Sequence, residues 1–217
     1  MGKTAWIAGA SGLVGGFALE ALLEDPTFDR VVSFGRRSLG KSHPKLVEHT
    51  VDFEQFEAFD AGDAPAPDVA VCTLGTTIAK AGSKAAFRAI DHDAVLSFAR
   101  GAKARGATAF VVVTAQGADA GSLVFYNRVK GEIEEALATV GFASLTIARP
   151  SLLLGDRLES RPGERAAVIV SRALRPLLRP FRVRPVEARD VGAAVARYAR
   201  DPQPGTLVVH SADLHAA

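Results

Sequence analysis

Two groups of residues in this chain have types and spacing that could do chemistry. The first is Gly9-Ala10-Ser11-Gly12-Leu13-Val14-Gly15, a G-x-x-G-x-x-G run placed after the apolar stretch Thr4–Ala8 and before a helical pattern. In that context the first glycine permits a tight turn, the second lets backbone approach a pyrophosphate, and the third lets the helix pack on the strand. The unpaired N–H groups at the helix start, around Ser11, Leu13 and Val14, would face the phosphates with the helix dipole behind them. The second group is Tyr126-Asn127-Arg128-Val129-Lys130, a Y-x-x-x-K pair. At i and i+4 on a helix the phenol and the ammonium share a face. The ammonium favours the tyrosinate and so is expected to lower the phenol pKa. Such a phenol can donate a proton to a developing alkoxide in carbonyl reduction and take it back in the reverse direction. Lys130 could also hold a nicotinamide ribose.

The second strand bears on the choice of cofactor. A dinucleotide fold usually carries an acid about 20 residues beyond the glycine loop, where it binds the ribose hydroxyls. Here that stretch is Ser33-Phe34-Gly35-Arg36-Arg37-Ser38, with two arginines and no acid. A guanidinium can bind a 2′-phosphate that a carboxylate would repel, so Arg36 and Arg37 favour NADPH over NADH. The bland alternative is a pair of exposed loop arginines. Asp52 and Phe53, after the third strand, are weaker candidates to flank the adenine.

The elements that must position these residues alternate along the chain. Strand-like runs fall at Thr4–Ala8, Arg30–Phe34, Leu46–Val51, Val69–Leu74, Ala109–Val113, Ser144–Ala148 and Thr206–His210. Helical patterns fall at Gly12–Glu24, Ala85–Ala104, Leu123–Val140, Ala166–Leu178 and Asp190–Arg200, with Arg182–Val186 extended. This alternation predicts an α/β, doubly wound, mostly parallel sheet with helices on both faces. The near-continuous apolar strands suit parallel pairing. Residues 1–217 are expected to form one dinucleotide-binding domain, with 151–217 contributing a small substrate-side portion.

Composition narrows the class. The 217 residues are 48% hydrophobic and 23% charged, enough apolar surface for a sizeable core. A net charge of +2 demands no nucleic-acid partner. One cysteine excludes an internal disulfide framework and a cysteine-cluster metal site. The five histidines show no metal-ligand spacing, and Cys72 reads as a buried small hydrophobe. No run of about 18 apolar residues suggests a membrane span, and the N-terminal stretch is a poor leader, so a cytoplasmic setting is expected. Residues 157–200 hold eleven arginines, no lysine and four acids, a local +7. A solvated surface is the plain reading of that excess, and an anionic ligand or a subunit contact the other.

Together GASGLVG and YNRVK resemble the short-chain dehydrogenase/reductase superfamily in its extended or atypical branch. Ala148-Arg149-Pro150 and the stretch Val183–Val191 add to the match. More specifically, CTLGTT (Cys72–Thr77), KAGS (Lys80–Ser83), QGAD (Gln116–Asp119) and GDRLESRPGE (Gly155–Glu164) resemble the Tat-interacting-protein-type oxidoreductases and their bacterial relatives. The resemblance implies NADP(H) bound by the glycine loop, Arg36 or Arg37, the Thr73-Leu74-Gly75-Thr76 segment, Tyr126, Lys130, and the backbone around Pro150, Ser151 and Leu152. It implies a small-molecule substrate, with neither nucleic acid nor membrane as partner, and dimers are common in the superfamily. Two departures stand out. The usual hydroxyl after the fifth strand falls on Ala115, so Thr114 could serve as the catalytic hydroxyl only if the strand end turns it inward. The position often held by asparagine falls on Asp91. The expected function is NADPH-dependent hydride transfer to a small carbonyl or similar substrate. The alternatives are a non-catalytic NADP(H)-binding regulator and a nucleotide-sugar epimerase or dehydratase, the latter disfavoured by the short segment after Pro150.

Overall fold

The computed structural model describes residues 2–58, 64–154 and 185–215. Strand β1 (Lys3–Ala8) runs directly into the glycine loop and helix α1 (Leu13–Glu24). Strands β2 (Phe28–Gly35) and β3 (Leu46–Thr50) follow, then a 3₁₀ segment over Phe53–Ala58. The second half contains β4 (Val69–Cys72), α2 (Ile78–Ala81), α3 (Lys84–Arg88), α4 (Ala94–Ala104), β5 (Ala109–Val113), α5 (Phe125–Ala138) and β6 (Ser144–Arg149). The short strands β7 (Leu153–Leu154) and β8 (Val186–Glu187) pair with each other, and α6 (Ala188–Arg200) and β9 (Gly205–His210) return to the main sheet.

Seven strands form one parallel sheet in the order β3-β2-β1-β4-β5-β6-β9. This is the doubly wound α/β fold that the alternation predicts. Side chains alternate across it with period two. Ala5 and Ile7 face α1 and α6 in a core with Leu19, Leu22, Val71, Val111, Val191 and Val195. Trp6 and Ala8 face the other way, toward Phe34, Phe56, Phe98, Phe110, Ile133 and Leu137. The two helices of the first layer approach closely because position 192 is glycine: a Cβ there would stand 2.6 Å from that of Phe17. Cys72 is fully buried, and burial pushes its thiol up to about 12, so it packs as a small hydrophobe. No helix among the described residues is long and apolar enough to cross a membrane.

The structure departs from the sequence pattern in one place that matters. The single helix expected over 85–104 forms as one helical run, but with a π turn at Ala89–Asp93 inside it. A π turn inserts a residue into the helical ladder and is frequent at functional sites. Asp91 lies in it and is 1% exposed. The helix expected at 166–178 and most of the arginine-rich stretch lie outside the described residues.

Candidate functional site

The strand order reverses between β1 and β4, and in open α/β sheets the crevice at such a point, beyond the strand C-termini, receives ligands. The glycine loop and the Thr73–Thr76 loop meet there. The N–H and hydroxyl of Thr73 both donate to the Ala8 carbonyl, at 2.9 and 3.0 Å. Gly9 has φ +89, and a Cβ on it would stand 2.7 Å from the Thr73 carbonyl carbon. Gly15 is tighter still, since its Cβ would fall 2.1 Å from the Gly9 oxygen. Gly12 is different. Its Cβ would touch only that oxygen, at 3.2 Å, and otherwise point into open space. Gly12 and Ser11 are exposed at the loop tip, while the Val14 side chain is buried in the core and leaves only its backbone to the crevice. Helix α1 has no side-chain cap and no acid in its first turn. Its first N–H groups, on Leu13, Val14 and Gly15, precede the bond from the Gly16 N–H to the Gly12 carbonyl, so they have no acceptor one helical turn back.

Phe34 pairs with Ala8 across β2 and β1, so the chain after Gly35 leaves the sheet beside the glycine loop. Arg36 and Arg37 lie there, exposed and with no ion pair or hydrogen bond among the described residues. The other adenine-side expectation divides. Asp52 is exposed and accepts from the Glu54 N–H at 3.0 Å. Phe53 is corrected: its ring is buried against Phe56 and Phe98, with centroids 5.8 and 6.3 Å away, so its apolar surface is taken up by the core.

Tyr126 and Lys130 share one face of α5, as their spacing predicts. The Lys130 ammonium sits 2.8 Å from Asp91 Oδ1, with both side chains buried. The other carboxylate oxygen, Oδ2, accepts from the Thr76 N–H at 2.9 Å. Gly75 passes over the pair, and its Cβ would stand 3.4 Å from Asp91 Oδ1 and 3.7 Å from Lys130 Nζ. Thr73, Leu74, Gly75 and Thr76 thus link the glycine loop to the lysine. The Tyr126 ring packs 5.3 Å from Phe87. The expected acidification of this phenol is corrected. Burial pushes it above its ordinary value; the Lys130 ammonium pulls it down, and the Asp91 carboxylate beside that ammonium pushes it up again.

Thr114 is also corrected as a catalytic hydroxyl. It is buried and donates to Glu134 Oε1 at 2.6 Å, so its single hydroxyl hydrogen already has an acceptor. Glu134 in turn receives Arg149, whose Nε lies 3.1 Å from each carboxylate oxygen and whose Nη2 contacts Oε2. This group pins α5 to the ends of β5 and β6. Sequence reading missed it, although Tyr126, Lys130 and Glu134 recur at four-residue intervals and so mark one helix face. Gly131 completes the seat: a Cβ there would fall 2.1 Å from the Ala120 nitrogen, so only glycine admits the loop that crosses α5. Pro150 is buried and its carbonyl accepts from the Gln116 N–H at 2.8 Å, joining the loops after β5 and β6. Ser151 is half-buried, its hydroxyl receiving that of Ser211 at 2.9 Å, and Leu152 is exposed.

Removing one partner of a buried ion pair strands the other. Glu134→Ala is therefore expected to lower unfolding stability by about 3 kcal/mol in urea melts. A loss below about 0.5 kcal/mol, the level of an ordinary surface change, would show that the pair does not hold α5 in place.

Comparison with known proteins completes the description of the site. No family model matches the chain. It is 40% identical to the protein HTATIP2 of Rattus norvegicus over 168 residues, which span 75% of this chain and 67% of the relative. It is 35% identical over 173 residues to the mitochondrial protein fmp52 of Emericella nidulans, spanning 77% and 74%. Among solved structures it resembles MoeE5 in complex with UDP-glucose and NAD, with a TM-score of 0.68, 17% identity and coverage of 95% of this chain and 75% of that one. The Bordetella bronchiseptica enzyme WbmH in complex with NAD+ gives 0.68 and 19%, with coverage of 96% and 75%. At these identities the likeness shows the fold. The expected cytoplasmic setting is overturned by the fungal relatives, which are named mitochondrial. One buried thiol and the lack of a long apolar run fit either compartment, so composition could not separate them.

Proposed function

The chain belongs to the family of HTATIP2 and FMP52, within the short-chain dehydrogenase/reductase superfamily, and from that premise we propose that it is an NADPH-dependent oxidoreductase acting on a small carbonyl or similar substrate. The observation that carries this reading is the convergence, at one crevice, of the uncapped start of α1, the Thr73–Thr76 loop and the Tyr126–Lys130 face of α5.

The residues present suit a dinucleotide. A Cβ would fill the space beside Gly12 that backbone N–H groups need to reach a pyrophosphate. Leu13, Val14 and Gly15 would hold the phosphates, and Arg36 or Arg37 a 2′-phosphate. Asp52 would lie on the adenosine side. Thr73–Thr76, Lys130 and the Pro150–Leu152 backbone would flank the nicotinamide end. When bound, the nicotinamide supplies a hydride. The protein's own part is proton transfer and orientation. The Tyr126 phenol donates its proton to the substrate oxygen as charge develops there. Lys130, held by Asp91, would hold the nicotinamide ribose.

Cofactor choice tests the adenosine end. NADPH is expected to bind more tightly than NADH by about ten- to a hundredfold, the worth of a charge-assisted bond of roughly 1.5–3 kcal/mol. Arg36→Ala with Arg37→Ala should erase most of that difference in calorimetric titrations. Equal wild-type affinities would sink the NADP(H) assignment.

A second reading is favoured by one observation. The hydroxyl hydrogen of Thr114 is engaged with Glu134, so the residue is not free to donate to a substrate oxygen. NADP(H) occupancy that alters a protein contact without turnover would need no such donor. An NADPH-oxidation screen over aldehydes and quinones separates the two readings.

A further inference from the structure

We propose that Asp91 is a positioning residue of this site: by clamping the Lys130 ammonium in a neutralised buried pair, it makes the lysine an orienting group and keeps Tyr126 a neutral phenol, poised to donate a proton. The inference rests on the reading of Tyr126 as the proton donor, and it assigns a role to a residue where the superfamily often has asparagine.

Geometry carries it. The π turn at Ala89–Asp93 lies within the helical run from Lys84 to Ala104, and Asp91 is the buried acid of that turn. Both of its carboxylate oxygens face donors, Oδ1 the Lys130 ammonium at 2.8 Å and Oδ2 the Thr76 N–H at 2.9 Å. Burial pushes the Asp91 carboxyl above its ordinary value, and the Lys130 ammonium and the Thr76 N–H draw it back toward the ionised form, the form that pairs with the lysine. A buried cation with an anion at contact distance acts on a third group as a dipole, and its field falls off faster than that of a bare charge. An asparagine in the same place would keep one acceptor oxygen, turn an NH2 donor toward the other partner, and leave the ammonium uncompensated.

The remaining charges near the phenol are engaged or turned elsewhere. On α5, Arg128 donates to the Ser122 carbonyl and pairs with Glu132, which also holds Arg88 at the end of α3. Lys84 of α3 lies over the Phe125 ring, 5.3 Å from its centroid. In the π turn His92 pairs with Asp93. Lys80 of α2 is exposed, and the Thr73–Thr77 loop has no ionisable side chain. On the phenol itself Lys130 and Asp91 act in opposite directions, the ammonium pulling it down and the carboxylate pushing it up.

The chain has two tyrosines, Tyr126 and Tyr198. In a Tyr198→Phe background, phenolate ultraviolet absorbance therefore reports Tyr126 alone. It is read within seconds of a pH jump, before alkaline unfolding, and needs neither cofactor nor substrate. Asp91→Asn is expected to move this titration to lower pH by about one unit, equivalent to a tenfold change in phenol acidity. An unchanged titration, or one moved upward, overturns the proposal. The double variant Asp91→Asn, Lys130→Met leaves no buried charge and guards against misfolding of the single one. It should titrate within a few tenths of a unit of the parent. A rise of about one unit or more would mean that Lys130 acts on the phenol unopposed, which also overturns the clamp. Failure of the proposed turnover would appear in a different assay, as unaltered reduction by Tyr126→Phe.

Discussion

Gly12→Val is expected to fold normally and to lose NADPH binding by about a hundredfold or more in calorimetry. The two halves of that expectation have separate causes. A side chain at position 12 meets only the Gly9 oxygen, at 3.2 Å, so the fold can admit it. The space it enters is where a pyrophosphate must lie to reach the first N–H groups of α1. Losing two charge-assisted bonds of roughly 1.5–3 kcal/mol each accounts for the size of the effect. Gly15 provides the contrast. A Cβ there would fall 2.1 Å from the Gly9 oxygen and 2.5 Å from Thr73 Oγ1, so Gly15→Ala should instead lower thermal stability by distorting the junction of β1 and α1. A Gly12→Val protein that binds NADPH with unchanged affinity would refute the placement of the phosphates.

The second large effect concerns proton transfer. Tyr126→Phe keeps the ring, its packing 5.3 Å from Phe87 and the Lys130–Asp91 pair, and removes only the hydroxyl. Carbonyl reduction is expected to slow by about 10²–10⁴, the usual worth of a positioned acid, with NADPH affinity little changed. Burial holds the phenol above its ordinary value, so it stays protonated through neutral pH. The reductive direction, which consumes that proton, should therefore hold its rate up to alkaline pH, until the phenol ionises. Lys130→Met behaves differently. It strands Asp91 at 1% exposure, so it should cost about 3–5 kcal/mol of stability as well as cofactor affinity. Turnover by Tyr126→Phe at the wild-type rate would leave the phenol as a cofactor contact only, and the reading without turnover would lead.

Much of this was legible in the residues. Contiguous apolar strands separated by helical patterns require a parallel sheet covered on both faces, because no other arrangement buries both sides of each strand. A glycine run between a strand and a helix has few uses, and Gly9 and Gly15 meet their neighbours at distances that exclude a Cβ. The four-residue spacing of Tyr126 and Lys130 needs only the helical repeat to place both on one face.

What sequence could not supply was the set of partners brought in from distant segments. Asp91 stands 39 positions before Lys130 and meets it from a π turn inside a helical run whose apolar periodicity reads as ordinary α-helix. Thr114 sits at the expected strand end, yet its hydroxyl direction was decided by Glu134, a residue 20 positions away on α5. Phe53 follows a strand as an adenine-flanking residue should, and the aromatic core nonetheless claims its ring. The protonation of Tyr126 shows the same division. Local spacing names the cation beside it, but the phenol's acidity is a sum over burial and over a carboxylate from another element. Both are properties of the packed interior, which periodicity and spacing do not encode.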